Sequence, residues 1–75
     1  MKLEQLFASV LHEPVDQLSD QSSPKNLRSW DSLRHIELVL AAESVYGVQF
    51  STGEVATIRS MGCLRDLLVK KGVAF

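Results

Sequence analysis

The sequence predicts an all-α protein, a four-helix bundle with a long first loop and a short third helix. Three observations lead to this prediction. Apolar residues recur at helical spacing, serine and aspartate residues lie where helices should start, and glycines lie where helices should end. A polar stretch, residues 13–31, separates the first helix from the second. With 75 residues the chain is expected to form one domain, residues 1–75.

The first predicted helix is apolar on one face and ends before Pro14, because the residue before a proline avoids helical geometry. Its apolar residues are Leu3, Leu6, Phe7, Val10 and Leu11. The polar loop that follows is long for so small a domain, and loops of this length more often have a functional role than serve only as connections. Four apolar side chains are expected to hold it against the helices: Val15, Leu18, Leu27 and Trp30.

The second helix is predicted to begin at Asp31 or Ser32 and to end at Gly47, which suits a left-handed closing position. Residues 51–54 have the spacing of a capping box, which predicts a short third helix over residues 52–58. Ser60 is a good cap for a fourth helix. The side chains expected to be substantially buried are Phe7, Leu38, Val39, Tyr46, Phe50, Ile58, Leu64 and Leu67.

Composition excludes several classes of function. The formal net charge is −1 and no basic stripe is present, so nucleic acid is not expected as a partner. Cys63 is alone and far from both histidines, which argues against a disulfide or a metal site. We expect Cys63 and His35 to be packed side chains and Trp30 to be a packing anchor. No apolar run is long enough to span a membrane, and Glu4 interrupts any signal-peptide pattern, so a cytoplasmic location is expected.

Ser32 is the most informative residue, because it lies at the junction of the polar loop and the second helix. Backbone N–H groups and the helix dipole favour an anion at such a position, so this serine is well placed to carry a phosphate. No nucleophile–base pair or metal cluster can be assembled elsewhere. We therefore expect no catalytic residues and no activity as an enzyme.

The second helix is apolar on two sides. At about 100° per residue, one arc is the natural core face and the opposite arc carries an apolar stripe, which we define as Leu33, Ile36 and Leu40. Charged residues border this stripe, among them Glu37 and Glu43. Such a surface usually marks a contact for other proteins, with a homodimer face as the alternative. The core arc is expected to contain Leu38, Val39, Ala42, Val45 and Tyr46.

The segment Asp31-Ser32-Leu33 at a helix start resembles the attachment motif of acyl carrier proteins. The tripeptide alone is a weak signal, but the likeness extends over nearly the whole chain. It includes residues 18–24 before the motif, and Ile36-Glu37-Leu38-Val39, Tyr46-Gly47-Val48, Phe50-Ser51, Glu54, Ile58, Ser60, Met61-Gly62 and Leu64 after it.

This resemblance implies that Ser32 receives 4′-phosphopantetheine from coenzyme A through a phosphodiester. The thiol of that arm holds acyl groups as thioesters for partner enzymes, so the chemistry belongs to the cofactor. Asp31, besides capping the helix, would help to orient the magnesium-dependent phosphopantetheinyl transferase. The partners implied are that transferase and the enzymes that load and transfer acyl groups. The residues that map onto the docking helix are Leu33, Ile36, Glu37, Leu40 and Glu43.

Departures from the family pattern narrow the prediction. Fatty-acid carriers are strongly acidic, whereas this chain is nearly neutral and has Arg34 in its second helix. This favours a specialised pathway, such as polyketide-like or polysaccharide-modifying acyl transfer. The protein is expected to be a monomer. Two alternatives remain: a carrier-like interaction module without the prosthetic group, and an aminoacyl or peptidyl carrier. Residues 28–30 lack the glycines common in peptide-synthesis carriers, which disfavours the aminoacyl cargo.

Overall fold

The computed structural model describes residues 2–75, and within this range it is all-helical. Helix α1 spans Leu3–Leu11, α2 spans Ser32–Tyr46, α3 spans Thr52–Thr57 and α4 spans Met61–Lys70. A single 3₁₀ turn, Val15–Gln17, interrupts the long first loop. The predicted four-helix bundle with a short third helix is therefore confirmed. None of the helices in residues 2–75 combines the length and apolar character needed to cross a membrane.

Side-chain caps fix the helix starts at the predicted positions. Asp31 Oδ1 accepts the N–H of Arg34 at 2.8 Å, which starts α2 at Ser32. Ser51 and Glu54 form the capping box of α3, and Ser60 Oγ accepts the N–H of Cys63 at 3.1 Å at the start of α4. Polar residues at the correct spacing thus determine where three of the four helices begin.

Left-handed residues close the first two helices. Gly47 has a φ of 67° and donates its N–H to the carbonyl of Glu43, ending α2 as expected. Helix α1 ends earlier than Pro14 requires, because His12 already adopts a left-handed conformation with a φ of 57°.

The core draws on all the long helices, and it is built around apolar residues at helical spacing. Trp30 from the loop and Ile58 after α3 complete it, and the Phe7 ring meets the Trp30 ring edge-on at 5.2 Å. The buried apolar residues of the helices are Leu3, Leu6, Phe7, Leu11, Leu38, Val39, Ala42, Met61, Leu64 and Leu68. Of the residues predicted to be buried, Tyr46, Phe50 and Leu67 are only half-buried.

The long loop is fastened to the start of α4. The carbonyl of Ser22 accepts the N–H of Met61, and the carbonyl of Asp20 accepts the N–H of Gly62, both at 2.9 Å. A Cβ at Gly62 would lie 2.9 Å from the Asp20 carbonyl oxygen, so the close approach requires glycine. Arg65 adds ion pairs to Asp20 at 3.0 Å and to Glu4 at 2.8 Å. The loop is therefore a docked segment, held by backbone groups that α4 cannot pair internally.

Two apolar residues were assigned wrongly to the interior. Val15 was expected to hold the loop against the helices but is 48% exposed, because it lies in the 3₁₀ turn that projects from the loop. Val45 was expected on the core arc of α2 but is 43% exposed. The buried residues of α2 are Leu38, Val39 and Ala42, so the last buried position precedes Val45 by about one turn. Leu18 and Trp30 do hold the loop as predicted.

Candidate functional site

Ser32 is the first residue of α2 and its side chain is exposed. The capping bond of this helix is made by the neighbouring Asp31, so the Ser32 hydroxyl is not needed for it. Among residues 2–75, no group forms a hydrogen bond with that hydroxyl. The arrangement leaves a free nucleophile at the positive end of a 15-residue helix, where an attached anion is stabilised.

A cleft of about 640 Å³ adjoins Ser32 and connects three parts of the chain. The loop contributes Pro24 and Lys25, the start of α2 contributes the motif, and the link between α3 and α4 contributes Ile58 and Arg59. The cleft is therefore partly apolar and partly cationic, and it is large enough for part of an organic arm. Its remaining lining residues are Trp30, Asp31, Ser32 and His35.

A hydrogen-bonded pair of rings forms one wall of the cleft. Trp30 Nε1 lies 3.0 Å from His35 Nδ1, and His35 Nε2 lies 3.0 Å from the carbonyl oxygen of Val55. The two rings are stacked, with centroids 6.0 Å apart and planes inclined by 20°. His35 is half-buried and Trp30 is 2% exposed, as expected of packing residues. The hydrogen bonds were not predicted, because no sequence signal tells which group a buried ring will meet.

Because both ring nitrogens of His35 are engaged, this residue is poorly placed to act as an acid or base. Within residues 2–75, no group of three or more histidine, cysteine, aspartate or glutamate side chains is arranged to hold a metal ion. What the site offers chemically is one exposed hydroxyl beside a cleft.

The apolar stripe is exposed as predicted. Leu33 is 69% exposed, Ile36 49% and Leu40 59%, and all three follow Ser32 on the same helix. Large aliphatic side chains so exposed on a small protein indicate a contact surface. The stripe begins one residue after the candidate attachment site.

The charged residues beside the apolar stripe differ in their exposure to solvent and in their hydrogen-bond partners. Glu37 is exposed and lies 3.4 Å from Arg34, whose guanidinium also donates to the carbonyl of Val10 at 3.0 Å. Glu43 is half-buried, and its carboxylate accepts the N–H of Phe50 at 2.8 Å. Glu43 therefore has a structural task in the link after α2, and only Glu37 presents its carboxylate mainly to solvent.

Cys63 was expected to be a packed side chain, but this is wrong: it is exposed in the first turn of α4. The core face of α4 passes through Met61, Leu64 and Leu68, and Cys63 lies about 100° away from Leu64 around the helix. Hydrogen bonds with the Ser60 side chain, and then with the backbone of Arg59, lower the pKa of its thiol.

The fold is matched by a solved structure. The solution NMR structure of holo acyl carrier protein from Geobacter metallireducens superimposes with a TM-score of 0.83 and 32% identity, covering 92% of this chain and 79% of that one. No family model and no curated protein sequence matches the chain. At this identity and coverage the chain belongs to the acyl carrier protein family, whose fold is that of a non-enzymatic carrier that works with partner enzymes.

Proposed function

We propose that residues 1–75 are an acyl carrier domain in which Ser32 carries 4′-phosphopantetheine. The observation that carries this proposal is the free, exposed hydroxyl of Ser32 at the start of α2, with Asp31 making the helix cap. The residues around it fit the group, because the cleft combines apolar surface for the arm with cations for its phosphate. The related structure is of a holo carrier, which supports the same cofactor here.

In the attachment step, Ser32 Oγ attacks the phosphorus of coenzyme A that bears the pantetheine. A bond forms between Oγ and phosphorus, and the diphosphate P–O bond breaks to release adenosine 3′,5′-bisphosphate. The hydroxyl proton passes to a base on the transferase. The thiol of the attached arm then supplies the chemistry of the carrier, holding acyl groups as thioesters.

Partner enzymes are proposed to dock on the apolar stripe and its acidic neighbours. Leu33, Ile36 and Leu40 are the exposed aliphatic anchors, and Glu37 offers a carboxylate to a basic partner. Glu43 is proposed as a weaker contact, since it also binds the Phe50 N–H. Asp31 borders Ser32 and is proposed as the residue that the phosphopantetheinyl transferase recognises.

The charge of the chain favours a specialised pathway over housekeeping fatty-acid synthesis. The net charge is −1, and Arg34 occupies the first turns of the docking helix, so a basic partner would be attracted only weakly. We expect a malonyl transferase of fatty-acid synthesis to load the holo protein slowly. Loading at the rate of a fatty-acid carrier under the same conditions would contradict the specialised pathway and leave the attachment site intact.

Intact-mass measurement tests the attachment site. The purified protein is incubated with coenzyme A and a broad-specificity phosphopantetheinyl transferase, and we expect a gain of one phosphopantetheine group. The Ser32→Ala variant should gain none, although Asp31 keeps its helix start. Ser44→Ala is the matched control, because Ser44 is an exposed serine of the same helix. An unmodified wild-type protein would instead favour an interaction module that works without the arm.

A further inference from the structure

Two cations of the cleft beside Ser32 have no anionic partner. Lys25 and Arg59 both line this cleft, and both are exposed. Across residues 2–75 the cations in ion pairs are different ones: Arg34, Arg65 and Lys71. Lys25 and Arg59 come from segments far apart in the sequence, and the fold brings them to one cleft.

The backbone is held in place at both Lys25 and Arg59. Around Lys25, the N–H of Ser23 donates to Asn26 Oδ1 at 3.0 Å, and the N–H of Lys25 donates to Ser23 Oγ at 3.2 Å. Arg59 lies between Ile58, which is buried, and Ser60, which caps α4. Because the backbone is already ordered at both positions, binding an anion would restrict only the two side chains.

One carboxylate lines the cleft beside these two cations, and it forms an ion pair with neither of them. Among residues 2–75, Asp31 is the one acidic residue that lines it, and its Oδ1 accepts the N–H of Arg34 in the helix cap. Asp31 keeps its negative charge there, so the two cations outnumber the one carboxylate. His35 adds no negative charge, because an imidazole ring is either neutral or cationic. The positive end of α2 reinforces the same sign of potential. The excess of positive charge in the lining therefore favours a negative group at Ser32.

We propose that Lys25 and Arg59 bind the phosphodiester that joins the arm to Ser32 and so direct the first part of the arm into the cleft. This inference rests on the proposed attachment at Ser32. The arm then runs beside the apolar surface of Trp30 and Ile58, which line the same cleft. Because exposed ion pairs are weak, each cation raises the ratio of cleft-bound to free arm by about two- to fivefold.

The test compares the holo forms of three proteins by NMR. They are the wild type, the double variant Lys25→Gln/Arg59→Gln, and the control Arg28→Gln/Lys70→Gln. The control removes the same two residue types at exposed positions outside the cleft. Intact mass first establishes that each protein carries one arm, and circular dichroism establishes that each is folded.

In the wild type and the control, the ³¹P chemical shift should change between about 0.01 M and 1 M salt, because screening releases the phosphodiester. Nuclear Overhauser effects should also join the methyl groups of the arm to the Trp30 ring and Ile58. In the double variant both signals should weaken, with the bound-to-free ratio lower by about four- to twenty-fivefold if the two cations act independently.

Identical ³¹P shifts and Overhauser effects in wild type and double variant would overturn the inference but leave the attachment intact. If the double variant were modified slowly and its NMR signals were unchanged, the cations would serve a protein partner, and the inference would also be wrong. If the wild type gained no arm at all, the proposed function would fail and this inference with it.

Discussion

The indole Nε1–H of Trp30 donates a hydrogen bond to His35 Nδ1 across 3.0 Å. The two residues flank Ser32 in the sequence, so the bond closes a short loop of chain around the candidate attachment site. His35 Nε2 in turn reaches the Val55 carbonyl in α3. The start of α2 is therefore tied both to the buried Trp30 and to a neighbouring helix, and this keeps the Ser32 backbone in a defined place.

The hydrogen bond predicts the tautomer of His35. Tryptophan can only donate, so Nδ1 must accept, and the proton of the neutral ring must lie on Nε2, which donates to Val55. Long-range ¹H–¹⁵N correlation spectra at neutral pH should show the Nε2–H form for His35. His12, which is exposed, serves as the internal reference for an unconstrained ring. A proton on Nδ1 of His35 would contradict the geometry of this wall of the cleft.

Truncation at two positions of α2 should have very unequal consequences for stability. Leu38 is 2% exposed and Leu40 is 59% exposed, although they are two residues apart. We expect Leu38→Ala to lower the free energy of unfolding by about 2–5 kcal/mol through the cavity it leaves. Leu40→Ala should change it by no more than about 0.5 kcal/mol. Urea unfolding measures both, and equal losses would place the apolar stripe in the core.

Changes in the apolar stripe should impair partner reactions without unfolding the protein. Ile36→Ala and Leu40→Ala each remove an exposed aliphatic anchor, which in a buried contact contributes about 1–3 kcal/mol. The rate of Ser32 modification or of arm loading should fall accordingly, by about five- to a hundredfold at limiting carrier. Val69→Ala is the control, because Val69 is an exposed aliphatic residue on α4. Equal slowing by Val69→Ala would argue against a specific docking surface.

Replacing glycine by alanine at two positions should change the stability of the protein in opposite directions. A Cβ at Gly62 would meet the Asp20 carbonyl at 2.9 Å, so Gly62→Ala must displace the loop from α4 and destabilise the protein. At Gly53 in α3 the nearest atom is Ser51 Oγ at 4.0 Å. Gly53→Ala should therefore stabilise the protein by about 0.5–1 kcal/mol, the usual gain from replacing a helical glycine. Thermal melting of both variants measures the two signs. A neutral Gly62→Ala would show that the loop is not fastened at this point.

The lowered pKa of Glu54 predicts that the protein loses stability in acid. Its pKa is lowered by the backbone N–H of Ser51, and then by hydrogen bonding to Lys71, whose Nζ lies 3.0 Å from the carboxylate. A pKa that is depressed on folding gives stability that is present above the ordinary value of 4.5 and lost as the pH falls through the lower folded value. Glu54→Gln should therefore be less stable than the wild type at neutral pH, and the difference should shrink below pH 4.5.

Urea unfolding between neutral and acid pH measures this difference. Asp66→Asn is the control, because Asp66 is an exposed acid of α4. If the gap between wild type and Glu54→Gln were independent of pH, the capping box would not depend on the ionised carboxylate.

The helix starts could be predicted from the sequence because caps are local. Asp31, Ser51 and Ser60 each bond a backbone group within three residues, so spacing alone identifies them. Ser32 was singled out because it lies where a polar loop meets a helix start and because the segment around it resembles an attachment motif. Burial at the margins of helices depends instead on where a neighbouring element ends. Val45 was misplaced for this reason, whereas Val15 lies in the 3₁₀ turn and Cys63 lies off the core face of α4.

The cleft could not be predicted, because it depends on distant parts of the chain meeting. Lys25 and Arg59 belong to separate segments, and neither sequence pattern indicates that the two residues line the same cleft. The Trp30–His35 bond spans only five residues, yet it required the ring orientations that packing against Phe7 imposes. Local sequence therefore sufficed to predict Ser32 as the candidate site, whereas the cleft beside it became apparent only from the tertiary structure.

The fastening of the first loop to α4 limits how this part of the chain can vary in length. Asp20 and Ser22 must meet Gly62 and Met61 through backbone groups, so an inserted residue between positions 20 and 22 would move one carbonyl out of register. The projecting turn at Val15–Gln17 has no buried residue and bears no such constraint. A tag, a spectroscopic probe or a natural insertion is therefore tolerated at the turn and excluded a few residues later.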